Sequence, residues 1–347
     1  MQPSRSPDRR PRIALALQGG GAHGAYGWGV VERLLEEDVE LVGVSGASAG
    51  AINGAAIVAG YARSGCPGAR EGLERLWRAV ADLSPLAPLD LGALGGPFFE
   101  PFLRRSLDIA KLSSRYFAPF LPGVRDMRAL RQAVSQSVDL DLLARQTVVP
   151  LHVAATQITT GSARIFTGEA VTLDALMASA CLPELFAAVE IDDEPYWDGG
   201  FTANPALEPL LSDAIGATDM IIVQITPFTV DDVGGSIGDV TRRVSDISFN
   251  ACLRRDLRAL SEIQDIARAE ASRDPRMQAI ARVNLHLLSP PEELAGRSGA
   301  SKVDTRWSVL EGLRELGRAQ AERWLADHRA TLGRGSSFEG LPEDVQG

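Results

Sequence analysis

Apolar residues along this chain fall either into short unbroken runs or into stretches at helical spacing. Residues 12–18 and 41–45 are short and apolar, as buried strands are. Between them, residues 22–37 carry Tyr26, Val30 and Leu34 at helical spacing and end in acidic residues. A small-residue stretch then runs to about residue 63 as a helix, and residues 69–81 repeat the helical pattern through Leu73, Leu76, Trp77 and Val80. A β-α-β-α opening of this kind predicts a parallel sheet covered by helices. Further on, residues 127–137 read as a helix and 148–158 as a strand. Thr159-Thr160-Gly161 reads as a hairpin turn into residues 163–166, and 173–180 as a short helix ended by Pro183. Residues 189–197 alternate acidic and apolar positions as one strand would. The stretches 220–226 and 281–288 read as late buried strands, 240–271 as mostly helical and 305–332 as a long amphipathic helix. There is no internal repeat.

Residues 83–123 break this rhythm. They are rich in proline and glycine and hold five of the eleven phenylalanines, Phe98, Phe99, Phe102, Phe117 and Phe120. They read as a helical, aromatic-rich insertion over the sheet. With Arg104 and Arg105 nearby, a lid or membrane contact and an ordinary subdomain core fit equally well. The long C-terminal helix carries Trp307, Leu310, Leu313, Leu316 and Trp324, a stripe for core packing, with a homodimer face as the alternative. The expected organisation is a disordered N-terminus over 1–11, a folded domain over 12–332 that includes a C-terminal helical extension over 236–332, and a disordered tail over 333–347.

With 347 residues and 45% hydrophobic content the chain can bury a large core. Its net charge of -10 argues against nucleic acid as a partner. Cys66, Cys181 and Cys252 are an odd, sparse set, as expected of free thiols in a reducing compartment. The apolar run at 13–17 is too short for a signal-peptide core. Residues 41–61 are nearly uncharged, but Ser45, Ser48 and Asn53 among glycines and alanines fit a strand, turn and buried helix better than a membrane span. The expected location is cytoplasmic, with peripheral membrane contact left open.

The chemistry starts at Gly46-Ala47-Ser48-Ala49-Gly50, a G-x-S-x-G sequence between an apolar run and a small-residue helix. That is the strand, sharp turn and helix of a nucleophile elbow, with Ser48 exposed at the turn and the positive helix end behind it. Upstream, Gly19-Gly20-Gly21-Ala22-His23-Gly24 follows the first strand and opens a helix. Gly19, Gly21 and Gly24 satisfy G-x-G-x-x-G, but a dinucleotide site wants an acid at the end of the second strand, where this chain has Val44-Ser45 and the elbow. The same loop can serve as an oxyanion hole, with the N–H groups around Gly20, Gly21 and Ala22 as donors. A serine needs a proton acceptor, and the chain has four histidines, His23, His152, His286 and His328. A Ser48, Asp198, His286 order can be written. However, His286 falls mid-strand, and an elbow after only the second strand does not suit the α/β-hydrolase order. Asp198 in Trp197-Asp198-Gly199-Gly200 is the better candidate, a carboxylate at a strand end freed to turn by two glycines.

Taken in order, the glycine run, the G-x-S-x-G and Asp198-Gly199-Gly200 resemble the patatin-like phospholipase family over residues 12–211. Residues 179–186 with Pro183, and Asn204-Pro205, resemble further blocks of that family. The resemblance implies a three-layer α/β/α sandwich with a mostly parallel sheet. It also implies Ser48 as nucleophile, Asp198 as base, and Gly19, Gly20, Gly21 and Ala22 about the oxyanion. The implied activity is hydrolysis of carboxylic ester bonds in phospholipids or lysophospholipids, with no cofactor or metal. An acyltransferase, a thioesterase or a storage-polyester hydrolase would use the same dyad. A non-enzymatic binding module fits the intact motifs less well. Many family members carry Arg or Lys where this chain has His23, which bears a charge only at lower pH.

Overall fold

The structure, a computed structural model, describes residues 10–82, 127–231, 233–269, 273–295 and 299–341. The expected insertion at 83–123 and residues 1–9 of the expected disordered N-terminus lie outside the described residues.

An eight-stranded sheet forms the middle layer. Its strands are β1 (Arg12–Leu17), β2 (Glu40–Ala47), β3 (Leu151–Gln157), β4 (Ser162–Thr167), β5 (Val189–Ile191), β6 (Glu194–Asp198), β7 (Asp219–Val223) and β8 (Asn284–Leu288). The path through the ladders is β5-β6-β3-β2-β1-β7-β8, with β4 also paired to β3. The β1–β2, β1–β7, β2–β3 and β7–β8 ladders are parallel, and those joining β3 to β4, β3 to β6 and β5 to β6 are antiparallel.

Alternation along each central strand feeds two cores. Ile13, Leu15 and Leu17 of β1 face one layer, Ala14 and Ala16 the other. The first layer holds α1 (Gly24–Leu34), α2 (Ala49–Asp82), α3 (Arg128–Ser137), α4 (Leu140–Arg145), α5 (Leu173–Ser179) and, late in the chain, α9 (Trp307–His328). The second layer is led by α6 (Ile237–Ala269), whose Leu253, Leu257 and Leu260 pack beneath Met220 and Ile222. Between α6 and α9 the chain passes through α7 (Pro275–Arg282), β8 and α8 (Glu292–Ala295). This is the three-layer α/β/α sandwich that the resemblance implied, built on the helix-covered parallel sheet that the element order called for.

Several elements differ in detail from the sequence reading. The alternating stretch at 189–197 is a hairpin, because Asp192 and Asp193 take positive φ (55° and 61°) and turn β5 back into β6. The two helices read on either side of residue 65 are present as the two halves of α2, divided by a kink where Ser64 and Gly65 leave helical backbone. The C-terminal part is no appended helical extension: β8 completes the sheet beside β7, and α9 packs on α1, with Leu310 and Leu313 fully buried. Arg314 of α9 makes a two-pronged ion pair with Glu32 of α1. Nor is residue 333 the start of a disordered tail. The N–H groups of Ser337 and Phe338 donate to the Leu285 carbonyl on β8, and Leu341 is buried.

Candidate active site

β3 organises the site. β4 pairs with residues 152–157 along one edge. The other edge is shared, because β2 pairs with residues 151–154 and β6 with residues 155–157, and neither can lie where β4 already is. β2 runs parallel to β3 and stops at Ala47, opposite Ala154. β6 runs the other way and stops at Asp198, opposite Ala155. Two strands of opposite direction therefore meet end to end, which sets Ser48, the next residue after Ala47, beside Asp198.

Ser48 sits at φ 54°, the strained left-handed backbone that a sharp strand-to-helix turn requires. Its carbonyl accepts the N–H groups of Ala51 and Ile52 and so starts α2, and its own N–H donates to Ser179 Oγ at 2.9 Å. The turn is tight: a Cβ on Gly50 would lie 2.1 Å from the Leu17 carbonyl oxygen, so only glycine fits. The same holds across the cleft, where a Cβ on Gly19 would lie 2.6 Å from the Ser48 Cβ.

Asp198 is fully buried. Its Oδ1 accepts the Gly200 N–H at 2.8 Å, while Oδ2 completes no hydrogen bond. The backbone around it is pinned: its N–H donates to the Cys181 carbonyl, and its own carbonyl accepts Thr156 Oγ1 at 2.8 Å. Burial pushes its carboxyl up to about 7, with a small addition from the Glu184 charge. The Gly200 N–H and the Ser48 hydroxyl pull the other way and offset only part of the rise. A carboxyl that titrates near neutrality beside a serine is suited to take and return a proton at that pH.

The glycine loop faces the same point. The Gly19 N–H donates to Asn204 Oδ1 at 2.8 Å, so it holds the loop in place and is not free for a ligand. Among the described residues the N–H groups of Gly20, Gly21 and Ala22 have no protein partner. Gln18 anchors the loop from behind. Its Oε1 accepts the N–H groups of Ile225 and Thr226 at 2.7 and 2.8 Å, and its Nε2 donates to Asn250 Oδ1. Asn204 is anchored in turn by donating to the Phe249 carbonyl on α6.

His23 and His286 are engaged in other contacts. His23 is buried, with Nε2 2.7 Å from Ser301 Oγ, and ties the start of α1 to the turn at Gly299–Val303. His286 is fully buried, with Nε2 2.9 Å from Asp219 Oδ1 and Nδ1 2.9 Å from Ser337 Oγ. Asp219 is level with Ile13, at the opposite end of β1 from the site. Four residues of strand separate the two levels, about 13 Å. The structure thus sets Ser48 beside Asp198, with Gly19 at the start of the glycine loop against Ser48, and leaves His286 out. Ser179 and Asn204 stood in recognisable blocks but had no role assigned from sequence. Gln18 and Thr156 were missed, although Gln18 carries a signal, as a polar residue that closes an apolar strand before a glycine run. Among the described residues no group of three or more His, Cys, Asp or Glu is arranged to hold a metal ion.

A family model described as patatin-like phospholipase matches residues 15–211. No curated protein matches the chain. Among solved structures, VipD from Legionella pneumophila is 13% identical with a TM-score of 0.43, over 92% of this chain and 67% of that one. The type III effector protein ExoU is 17% identical with a TM-score of 0.26, over 92% of this chain and 80% of that one.

Proposed function

The chain belongs to the patatin-like phospholipase family, a family of lipid acyl hydrolases, and from that premise we propose that it is a serine esterase that cleaves phospholipids or lysophospholipids with a Ser48–Asp198 dyad. In this reading Ser48 Oγ attacks the ester carbonyl carbon while the Asp198 carboxylate takes the hydroxyl proton. The negative charge that develops on the carbonyl oxygen meets the N–H groups of Gly20, Gly21 and Ala22, in line with the positive end of α2. Collapse of the tetrahedral species breaks the ester C–O bond, and Asp198 returns its proton to the departing alcohol. Water then attacks the acyl-Ser48 carbonyl, with Asp198 again as base, and releases the fatty acid and free Ser48.

The observation that carries the reading is the end-to-end meeting of β2 and β6 on one edge of β3, which sets a buried, upward-shifted carboxyl beside a serine in a strained turn. The test is product analysis by mass spectrometry on a panel of phospholipid, lysophospholipid and neutral esters, together with labelling by a fluorophosphonate probe. Wild type labels and turns over, Ser48→Ala does neither, and Asp198→Asn loses turnover. Turnover retained by folded Asp198→Asn would overturn the dyad.

A further inference from the structure

α6 anchors the glycine loop at both ends. At the first end the Gly19 N–H rests on Asn204, Asn204 rests on the Phe249 carbonyl, and Asn250 holds Gln18 behind them. The second end is met by a distant part of the chain, the turn at Gly299–Val303. Ser301 Oγ lies 2.7 Å from Nε2 of the buried His23. A Cβ on Gly21 would lie 2.4 Å from the Lys302 carbonyl oxygen, so the turn packs on bare loop backbone there. Lys302 Nζ in turn reaches Oδ1 of the largely buried Asp246 on α6 at 2.9 Å. Asp246, Phe249 and Asn250 stand at i, i+3 and i+4, so one face of α6 carries the anchors of both ends.

We propose that the turn at Gly299–Val303 is a working part of the active site, in which Ser301 and Lys302 are positioning residues that aim the Gly21 and Ala22 N–H groups at the oxyanion. This rests on the reading of the chain as a serine esterase whose glycine loop holds the oxyanion. A peptide unit is planar and trans, so its N–H points opposite to its C=O. The His23 N–H donates to the Gly20 carbonyl at 3.2 Å, and the Gly24 N–H reaches the carbonyls of Gly21 and Ala22. Carbonyls held on that side send the Gly21 and Ala22 N–H groups to the other. Gly21, at φ 59°, has no side chain of its own to keep this arrangement. His23 keeps it from the next turn of backbone, and Ser301 holds the His23 ring. Donors fixed before the reaction need no reorganisation as the charge develops, so loosening them costs turnover. The turn lies beyond residues 15–211, which the family model matches, so this chain draws part of its oxyanion geometry from its C-terminal third.

The test uses full-length protein and reads the loop and the chemistry separately. Amide hydrogen exchange, followed by mass spectrometry, reports on the peptide over residues 18–26. Ser301→Ala and Lys302→Met are expected to speed its exchange with thermal unfolding unchanged, and Ser301→Thr, which keeps the hydroxyl, to restore it. On a soluble short-chain ester, Ser301→Ala is expected to lower kcat about 10- to 100-fold with KM little changed. Lys302→Met, whose ion pair is partly exposed, should lower it about 3-fold. Affinity for a trifluoromethyl ketone should fall by the same factors. Ser48 Oγ adds to the carbonyl carbon of that ketone, the hydroxyl proton passes to Asp198, and the ketone oxygen becomes the oxyanion that the loop holds. Exchange equal to wild type in both variants overturns the proposal, and so does faster exchange with kcat and ketone affinity unchanged. A loss of kcat that spares ketone affinity, that Ser301→Thr does not recover, or that comes with an equal loss of thermal stability overturns it as well. A wild type that turns over no ester and binds no ketone overturns the esterase reading instead, while exchange over residues 18–26 still decides whether the turn holds the loop.

Discussion

Replacing Asp198 with Asn removes the proposed base and should also stabilise the protein, by an amount that depends on pH. The side chain is isosteric: its carbonyl can keep the Gly200 N–H bond and its amide can face Ser48. What disappears is a buried carboxylate that completes only one hydrogen bond. In the folded protein this carboxyl titrates at about 7, and in the unfolded chain at about 3.9. Below about pH 4 the group is protonated in both states and its contribution to stability is fully present. From there to about pH 7 the folded state holds the extra proton, so stability falls by about 1.4 kcal/mol per pH unit. The accumulated loss in wild type approaches about 4 kcal/mol at pH 8. The amide of the Asp198→Asn variant does not titrate and undergoes none of this. Denaturant unfolding of both proteins at a series of pH values, extrapolated to water, measures the difference directly. The variant should match wild type near pH 4 and exceed it increasingly up to about pH 7, with the gap constant above that. A gap that does not change with pH, or a variant less stable than wild type at pH 8, would refute the account of Asp198 as a buried, ionisable base.

Three further outcomes follow from the same geometry. The rate constant kcat/KM on a soluble ester should rise with pH through an apparent pKa of about 7 and then level off, because only ionised Asp198 accepts the Ser48 proton; a profile flat between about pH 5 and pH 8 would exclude Asp198 as the base. Ser179→Ala leaves the buried Ser48 N–H without its acceptor, a cost of about 1–3 kcal/mol that falls on the elbow. Steady-state kinetics should show kcat reduced about 10- to 100-fold with KM little changed, and Ser179→Thr should recover part of it. Asp219→Asn weakens a buried hydrogen bond between the carboxylate and His286 and should destabilise the fold by about 1–3 kcal/mol near neutral pH, measured by denaturant unfolding. The folded protein should still label at Ser48. Since the Asp219 carboxyl is held below the ordinary carboxylate range, this loss should shrink as pH falls below about 4, the reverse of the Asp198 trend.

The fold was legible wherever hydrophobic period and turn chemistry agreed. β1, β2, α1 and the first half of α2 announced themselves, and their order implied a parallel sheet with helices on both faces. Boundaries failed where one residue changes direction without altering the pattern. Asp192 and Asp193 look like two more acidic positions of an alternating strand, and only their positive φ makes them a turn. Gly333–Leu341 looked like tail because its binding to β8 runs mostly through backbone N–H groups and one buried leucine, which no periodicity records. The candidate site was legible as three separate motifs. Its closure was not, because it depends on which residues of β3 each neighbour takes, and register across long sequence separations leaves no local mark.

The two buried aspartates show why the missing part is physical chemistry. Asp198 and Asp219 are both fully inaccessible, and each stands at an end of a short strand. Burial alone drives both carboxyls upward. At Asp219 that push is outweighed by donors from His286, Thr218, Gly333 and Asn284, so the group stays ionised and ties β7, β8 and the C-terminal strap together. At Asp198 one backbone N–H and the serine it faces are too few, so the carboxyl is left near neutrality with one oxygen free. The contrast also explains why a Ser–His–Asp order written from sequence fails. His286 does have an aspartate, but the pair lies at the far end of the sheet and its hydrogen bonds are already used. What distinguishes a base from a structural clamp here is the number of donors that surround each carboxylate, and that number is set by strand register.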